Sequence, residues 1–450
     1  MLHRPACTSR KNQTIQRNNM RKRINHPLTT SLQITYLIYV FCIFSTACES
    51  TPSTSDNNTE NNAQLDMEMV DQSSMDLPVD MESMVTIDQM VITEGDQDMM
   101  NGLDQMIVEE MDQTLPNILI EEIWDELRAS IDQTELEEIV VIFGDHNGAQ
   151  FVHEKGSTQR QPVPIASASK LMTAILILKI IDEGTVSLTD HPQQYLSWWT
   201  NDPTDPRSQV TLEQLLSFTS GFSGDSGLVG EGIPCVEDAD TSLAECAQVI
   251  YEEFFGNEPG ESFYYGPAHM HIAAAMVTAA TGENWEGLFR RLLYEPLNMT
   301  SLTGYQIPST DNPRASGGLI STPNNYAKVL TSLVNNELLS QESMQELTRD
   351  RTPIGTQFIS VPSTADEHGD WHYALGCWRE CTESEYSALC DEPGVVSSPG
   401  AFGFYPWVDQ KNGYWGIIST VIRIRGASVT VPLGHAWYPR AKQALDLLNH

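Results

Sequence analysis

Residues 117–131 place Ile118, Ile120, Ile123, Trp124 and Leu127 at helical spacing. The pattern then changes. Ile139-Val140-Val141-Ile142-Phe143 is a short continuous apolar run, which predicts a buried strand. Asp145-His146-Asn147-Gly148 reads as a hairpin turn, with Gln150-Phe151-Val152-His153 as the return strand. A second apolar run with helical spacing begins near Ile165 and meets no breaker before Gly184. From about 180 to 315 the spacing is mostly helical. It shows a capped start at Thr211–Leu216, a turn at Ser217–Gly221, a helix from Ala268 to Ala280 and another over Trp285–Leu292. A further helix runs from Asn325 towards Asn336. Strand character returns at Tyr373–Trp378, Gly403–Val408, Tyr414–Ile422 and Ser428–Val431, and Pro439–Leu448 closes with a helix. Strands at both ends with helices between predict an α+β fold. One antiparallel sheet is formed by both chain ends and flanked by helices, with a mostly helical subdomain inserted.

The globular pattern covers 116–450. Residues 1–48 read differently: Arg21-Lys22-Arg23 precede an apolar stretch, Ile34 to Phe44, that ends in Ser45-Thr46-Ala47-Cys48. A basic region, an apolar run and small residues describe an export signal. The run is short for a membrane span. The small residues before Cys48 resemble a bacterial lipoprotein signal, although Ser45 stands where that pattern usually has leucine. The resemblance implies lipid on Cys48 and attachment to a cell envelope. An ordinary cleaved signal and an uncleaved anchor are the alternatives. Residues 49–115 are rich in Asp, Glu, Met, Gln, Ser and Asn, with no basic or aromatic residue. Such a segment cannot bury enough apolar surface to offset its ordering entropy and reads as a disordered acidic tether.

Net charge is −36, from 61 acidic and 25 basic side chains. This balance argues against a nucleic-acid partner, which needs basic patches. The candidate chemistry lies in Ser167-Ala168-Ser169-Lys170, at the start of the second apolar run. Positions i and i+3 share a helix face, so the Ser167 hydroxyl and the Lys170 amine can touch. A buried lysine tends to lose its proton, and a neutral amine beside a hydroxyl can act as a base. Ser-x-x-Lys is also common by chance.

Cys235 with Cys246, and Cys381 with Cys390, form close pairs that an export route would allow to bridge, leaving Cys377 as a buried thiol. A zinc site from Cys377, Cys381 and Cys390 lacks a Cys-x-x-Cys pair. His269 and His271 stand two apart on a predicted helix, where they point in different directions and chelate poorly. No metal and no cofactor are expected.

Further along, Pro259-Gly260-Glu261-Ser262-Phe263-Tyr264-Tyr265-Gly266-Pro267 precedes a helix of small residues. With Ser-x-x-Lys this resembles the serine β-lactamase-related family: class C β-lactamases, D-alanyl-D-alanine carboxypeptidases, D-aminopeptidases and esterases of one fold. Thr211 to Gly221 resembles the family's Leu-Leu-x-His-Thr-Ser-Gly element, with Phe218 in place of histidine. Ser316 to Thr322 resembles Gly-Gly-x-x-Ser-Thr. Ser398-Pro399-Gly400-Ala401-Phe402-Gly403 resembles the third active-site element. The resemblance implies the β-lactamase/transpeptidase-like fold and Ser167, Lys170 and Tyr265 as catalytic residues. Tyr265 would be a general base whose pKa is lowered by the lysine ammonium. It further implies an oxyanion hole from the Ser167 and Ala401 backbone N–H groups, with Ser398, Gly400 and Pro267 facing substrate.

Two departures matter. Pro267 stands where the family has an amide-binding asparagine, and Ser398 where β-lactamases keep a lysine for the substrate carboxylate. Both losses weigh against β-lactam hydrolysis more than against ester hydrolysis. The expectation is an exported serine hydrolase, an esterase or peptidase-like enzyme, that takes a small ester, amide or peptide substrate and is a monomer. A slowly deacylating penicillin-binding protein and an inactive surface binding protein are the alternatives.

Overall fold

The computed structural model describes residues 117–224, 232–300, 302–362, 371–381, 390, 394–423 and 425–449. The signal, Cys48 and the acidic tether lie outside the described residues. Among those described, no helix is long and apolar enough to cross a membrane.

The first apolar pattern forms helix α1, 117–132. The hairpin follows as expected, with β1 (Ile139–Asp145) and β2 (Gly148–Lys155) joined by the Asp145–Gly148 turn. Five strands from the C-terminal part complete a seven-stranded sheet: β3 (His372–Tyr373), β4 (Trp378–Arg379), β5 (Val395–Ser397), β6 (Phe404–Asp409) and β7 (Tyr414–Ser419). The order is β2-β1-β7-β6-β5-β4-β3, antiparallel throughout. The two chain ends meet where Val140 pairs with Ser419 and Ile142 with Ile417.

Every residue of β1, β6 and β7 is buried. Successive side chains point to opposite faces, so both faces are covered. Phe404 packs its ring on Tyr326 of helix α4 (Pro323–Val334), whereas its neighbour Tyr405 meets His435 of helix α5 (Gly426–Leu448). Helix α1 lies beside α5, where the Trp437 indole donates to Ser130 Oγ at 3.0 Å. On the α4 side lies α2 (Ser169–Asp182), packed in turn against α3 (Ala268–Thr281) of the helical insertion.

Two expectations about the C-terminal part need correction. Tyr373–Trp378 is not one strand. It is a tight β3–β4 hairpin around Gly376, whose φ of 68° takes the left-handed conformation that glycine supplies without penalty. Ser428–Val431 is helical, and α5 continues through Pro432 and Pro439. The β-branched residues there suggest a strand locally, but tertiary packing overrides the preference. The Gly426 N–H donates to the Ala401 carbonyl at 2.8 Å, and Gly434 lets α5 rest on the Tyr405 ring.

Both expected cysteine pairs are bridged, Cys235–Cys246 and Cys381–Cys390, and Cys377 is a buried free thiol whose pKa is pushed up to about 12 by burial. The sulfurs of Cys381 and Cys390 are therefore committed to each other rather than to zinc.

Candidate active site

Ser167 sits in a single 3₁₀ turn, Ala166–Ala168, that leads directly into α2. The turn is strained at Ala166, whose φ of 47° is left-handed and costs about 1–2 kcal/mol for a residue with a Cβ. Four contacts hold it. Ser169 Oγ donates to the Ala166 carbonyl at 2.6 Å and accepts from the Leu319 N–H at 3.1 Å. Tyr326 Oη donates to the Ala168 carbonyl at 2.9 Å. Ser398 Oγ donates to the Ser167 carbonyl at 2.8 Å.

One helical turn on, Lys170 is buried with its Nζ 3.0 Å from Ser167 Oγ and 2.7 Å from the Ser316 carbonyl. Burial lowers its pKa to about 7, and the nearby Arg314 guanidinium adds to the effect. Near neutrality a large share of the amine is therefore unprotonated, as a base requires.

Tyr265 follows the short strand Ser262–Tyr264, which pairs in parallel with Gln357–Ser360. Its partly buried ring is boxed by aromatics: Trp378 stacked at 5.5 Å, Phe218 edge-on at 5.6 Å and Tyr373 perpendicular at 6.2 Å. Lys170 Nζ stands 4.6 Å from the ring centre. Ser167 and the Trp378 indole lie near the phenol oxygen and favour its charged form. The expected lowering of its pKa is corrected here. Burial dominates and pushes the phenol up to about 12, because an apolar aromatic box disfavours the phenolate more than those two neighbours favour it.

The third element is the loop after β5. Gly400 lies so close to the Ser167 turn that a Cβ there would stand 2.1 Å from the Ile165 carbonyl. Its N–H is taken by Phe404, and the Ala401 carbonyl is taken by Gly426. The Ala401 N–H has no acceptor among the described residues. Ser398 is buried and its proton is committed to the Ser167 carbonyl, so it holds the turn that carries Ser167. Pro267 is buried at the start of α3, where its carbonyl accepts from His271.

His269 and His271 are both fully buried in α3 and point to different partners. His269 Nε2 donates to the Tyr264 carbonyl, so Nδ1 accepts from Ser220 Oγ, both at 2.8 Å. Its ring stacks on Phe218 at 4.8 Å, and burial lowers its pKa to about 3. His271 bonds Asn312 at 2.9 Å, with its pKa lowered to about 4. Both are neutral packing residues beneath the site. Sequence reasoning did not single out Trp378, Arg314 or the Ser316 carbonyl. Ser316 lay inside a quoted motif. Trp378 and Arg314 carry no local pattern and gain their meaning from long-range contacts.

Residues 139–424 match the β-lactamase family model. The chain belongs to the β-lactamase family. The sheet and its flanking helices are the β-lactamase/transpeptidase-like fold. A β-lactamase structure from Bacteroides dorei is 25% identical, superposes with a TM-score of 0.57, and is matched over 68% of this chain and 96% of its own. D-alanyl-D-alanine-carboxypeptidase/endopeptidase AmpH of Escherichia coli is 25% identical over 284 residues, 56% of this chain and 68% of AmpH. Protein flp of Staphylococcus aureus is 25% identical over 136 residues, so the match spans only 26% of flp. Proteins of this fold include esterases, acyltransferases and carboxypeptidases.

Proposed function

We propose that the protein is an exported serine hydrolase that acts through an acyl-enzyme on Ser167, as an esterase or a peptidase-like acyl hydrolase. The observation that carries this reading is the 3.0 Å approach of the Lys170 amine, with its pKa near 7, to the Ser167 hydroxyl. Ser167 Oγ attacks the substrate carbonyl and gives its proton to the Lys170–Tyr265 pair. The oxyanion lies between the N–H groups of Ser167 and Ala401, which stabilise charge that develops only in the transition state. Water then releases the acyl group. The substrate is a small ester, amide or peptide, and the protein acts as a monomer without a cofactor.

Esters are favoured over β-lactams because Ser398 replaces a carboxylate-binding lysine and its only proton is spent on Ser167. The similarity to AmpH favours a second reading, a D-Ala-recognising protein that acylates and turns over slowly. Export and lipid attachment through Cys48 belong to the same proposal. Two disulfides fit an oxidising compartment. A Cys48→Ser protein that stays in the membrane fraction would refute the lipid anchor.

The direct test is labelling with a fluorophosphonate probe beside a Ser167→Ala control, with turnover of a short-chain p-nitrophenyl ester and a chromogenic cephalosporin. Serine-dependent labelling with ester turnover and little lactam turnover is the expected result. A stoichiometric burst without turnover supports the slow acylating protein. A folded protein that takes no label is a binding protein.

A further inference from the structure

A cavity of about 300 Å³ lies between α5 and the sheet, lined by residues of β5 and β6 and by those just after β4. That is room for a small organic ligand. Tyr405, which lines it, meets His435 of α5, whereas its neighbour Phe404 points the other way, onto Tyr326 of α4. The cavity is therefore on the opposite face of the sheet from α2, and neither Ser167, Lys170 nor Tyr265 lines it. Its walls are aromatic. Tyr405 and Trp407 stack with ring centres 4.7 Å apart, and Tyr438 stands edge-on to Trp407 at 6.0 Å. The side chains around it accept hydrogen bonds but have few protons to give. The Tyr405 hydroxyl donates to Glu380 Oε1 at 2.8 Å and the Tyr438 hydroxyl to Asp409 Oδ2 at 2.6 Å, so both phenol oxygens keep only lone pairs. His435 Nε2 donates to the second Glu380 oxygen at 2.8 Å. The Trp407 N–H is buried without a partner among the described residues, beside the ring edge that packs on Gly416 of β7, and does not serve the cavity.

The charge has a sign to match. Glu380, its side chain only 4% exposed, and buried Asp409 bring two carboxylates to this region. Among the described residues Asp409 is held by uncharged donors alone, Tyr438 and the backbone and side-chain N–H groups of Asn412. No lysine or arginine among the described residues lines the cavity. Even with His435 protonated, one negative charge is in excess. Glu380 has two oxygens with about four lone-pair sites, of which Tyr405 and His435 take two. An anion is repelled here, and a neutral apolar molecule gains nothing from the carboxylates. A cation gains from the carboxylates and from the aromatic faces together.

We propose that this cavity binds a small organic ammonium ion, with its N–H groups on Glu380 and its apolar part against Tyr405, Trp407 and Tyr438. The proposal does not rest on the hydrolase reading, because the cavity and the Ser167 turn share no residue.

The test titrates the full chain with benzylammonium chloride and with benzyl alcohol, two molecules of nearly one shape that differ in charge. Calorimetry is run in about 0.5 M NaCl, which screens the diffuse attraction of any cation to a chain of net charge −36. Benzylammonium should bind saturably at one site and about tenfold more tightly than benzyl alcohol. Glu380→Gln, which keeps the shape and removes the charge, should abolish that preference. Val395→Phe, which places a ring in the cavity from β5, should abolish binding of both molecules, and its unfolding midpoint reports whether it folds. Ser167→Ala should bind as the wild type does. Equal affinity for the two molecules, no saturation, or a folded Val395→Phe protein that binds as the wild type does would each overturn the proposal. If Glu380→Gln does not fold, the pair of molecules and Val395→Phe decide it. A protein that binds benzylammonium in this way but takes no fluorophosphonate label would keep this site and lose the hydrolase reading.

Discussion

Lys170 Nζ lies 3.0 Å from Ser167 Oγ at the start of one helix, and burial holds that amine near pKa 7. The lysine acts as a base only without its proton. Ester turnover should therefore rise with pH through about 7 with a single-proton slope and fall away below it. The Tyr265 phenol, at about 12, stays protonated across the working range and adds no alkaline limb below pH 10. A kcat/KM profile from pH 5 to 10 checks this, and a profile flat across pH 7 would remove Lys170 from the role of base.

The same shift predicts a stability cost. Between pH 7 and the ordinary lysine value of 10.5 the unfolded chain binds the Lys170 proton and the folded chain does not. Stability therefore rises with pH across that window, by at most about 1.4 kcal/mol per pH unit from this group. Lys170→Met lacks this contribution. Its stability relative to wild type should fall as pH is raised from 7 to 10, measured by urea unfolding. A difference that stays constant with pH would show that the folded-state pKa is not depressed.

Arg314 contributes the second part of the shift and is ion-paired with Glu237. Arg314→Met removes a nearby positive charge, so the Lys170 ammonium becomes easier to hold. The acidic limb of the rate profile should move upward by about half a pH unit. Movement in the other direction would mean that lost packing, rather than charge, governs the variant.

The Ser-x-x-Lys turn, the helix behind it and the two halves of the sheet were legible in the sequence, because each depends on a short local pattern of apolar residues. Ser428–Val431 was not. Its β-branched residues favour a strand, and only the fit of Gly426 against the Ala401 loop and of Gly434 against Tyr405 makes the segment helical. Gly376 breaks the Tyr373–Trp378 run for a similar reason, since a Cβ there would stand 2.6 Å from the Lys170 carbonyl. The site was legible as residue types. Its electrostatics were not, because the Tyr265 pKa depends on Phe218, Tyr373 and Trp378, which come from distant parts of the chain.

Ser398 tests whether the third element serves the nucleophile or the substrate. Its hydroxyl is buried and spent on the Ser167 carbonyl. Ser398→Ala leaves that carbonyl without its partner, which costs about 1–3 kcal/mol. The expected kinetic result is a lower kcat with an unchanged KM, because the turn carrying Ser167 loosens while the substrate loses nothing. A raised KM at constant kcat would return Ser398 to the substrate-facing role that the family resemblance implied.

Gly400 carries the last prediction, and it concerns the oxyanion hole. A Cβ at Gly400 would meet the Ile165 carbonyl at 2.1 Å, closer than any relaxed contact permits. Gly400→Ala must therefore push the loop away from the Ser167 turn. The Ala401 N–H moves with it, and the gap between the two proposed oxyanion donors widens. Loss of one such donor costs on the order of 3 kcal/mol in the transition state, so kcat should fall on the order of a hundredfold. Substrate binding changes little, because the donor matters only once charge appears on oxygen. The control is Gly413→Ala in the β6–β7 turn, where an added Cβ meets nothing within 4 Å. Its φ of 70° gives it a backbone strain of its own. Comparable stability losses in the two variants with a kcat loss confined to Gly400→Ala would assign the effect to the Ala401 N–H. Equal kcat losses in both would assign it to general destabilisation.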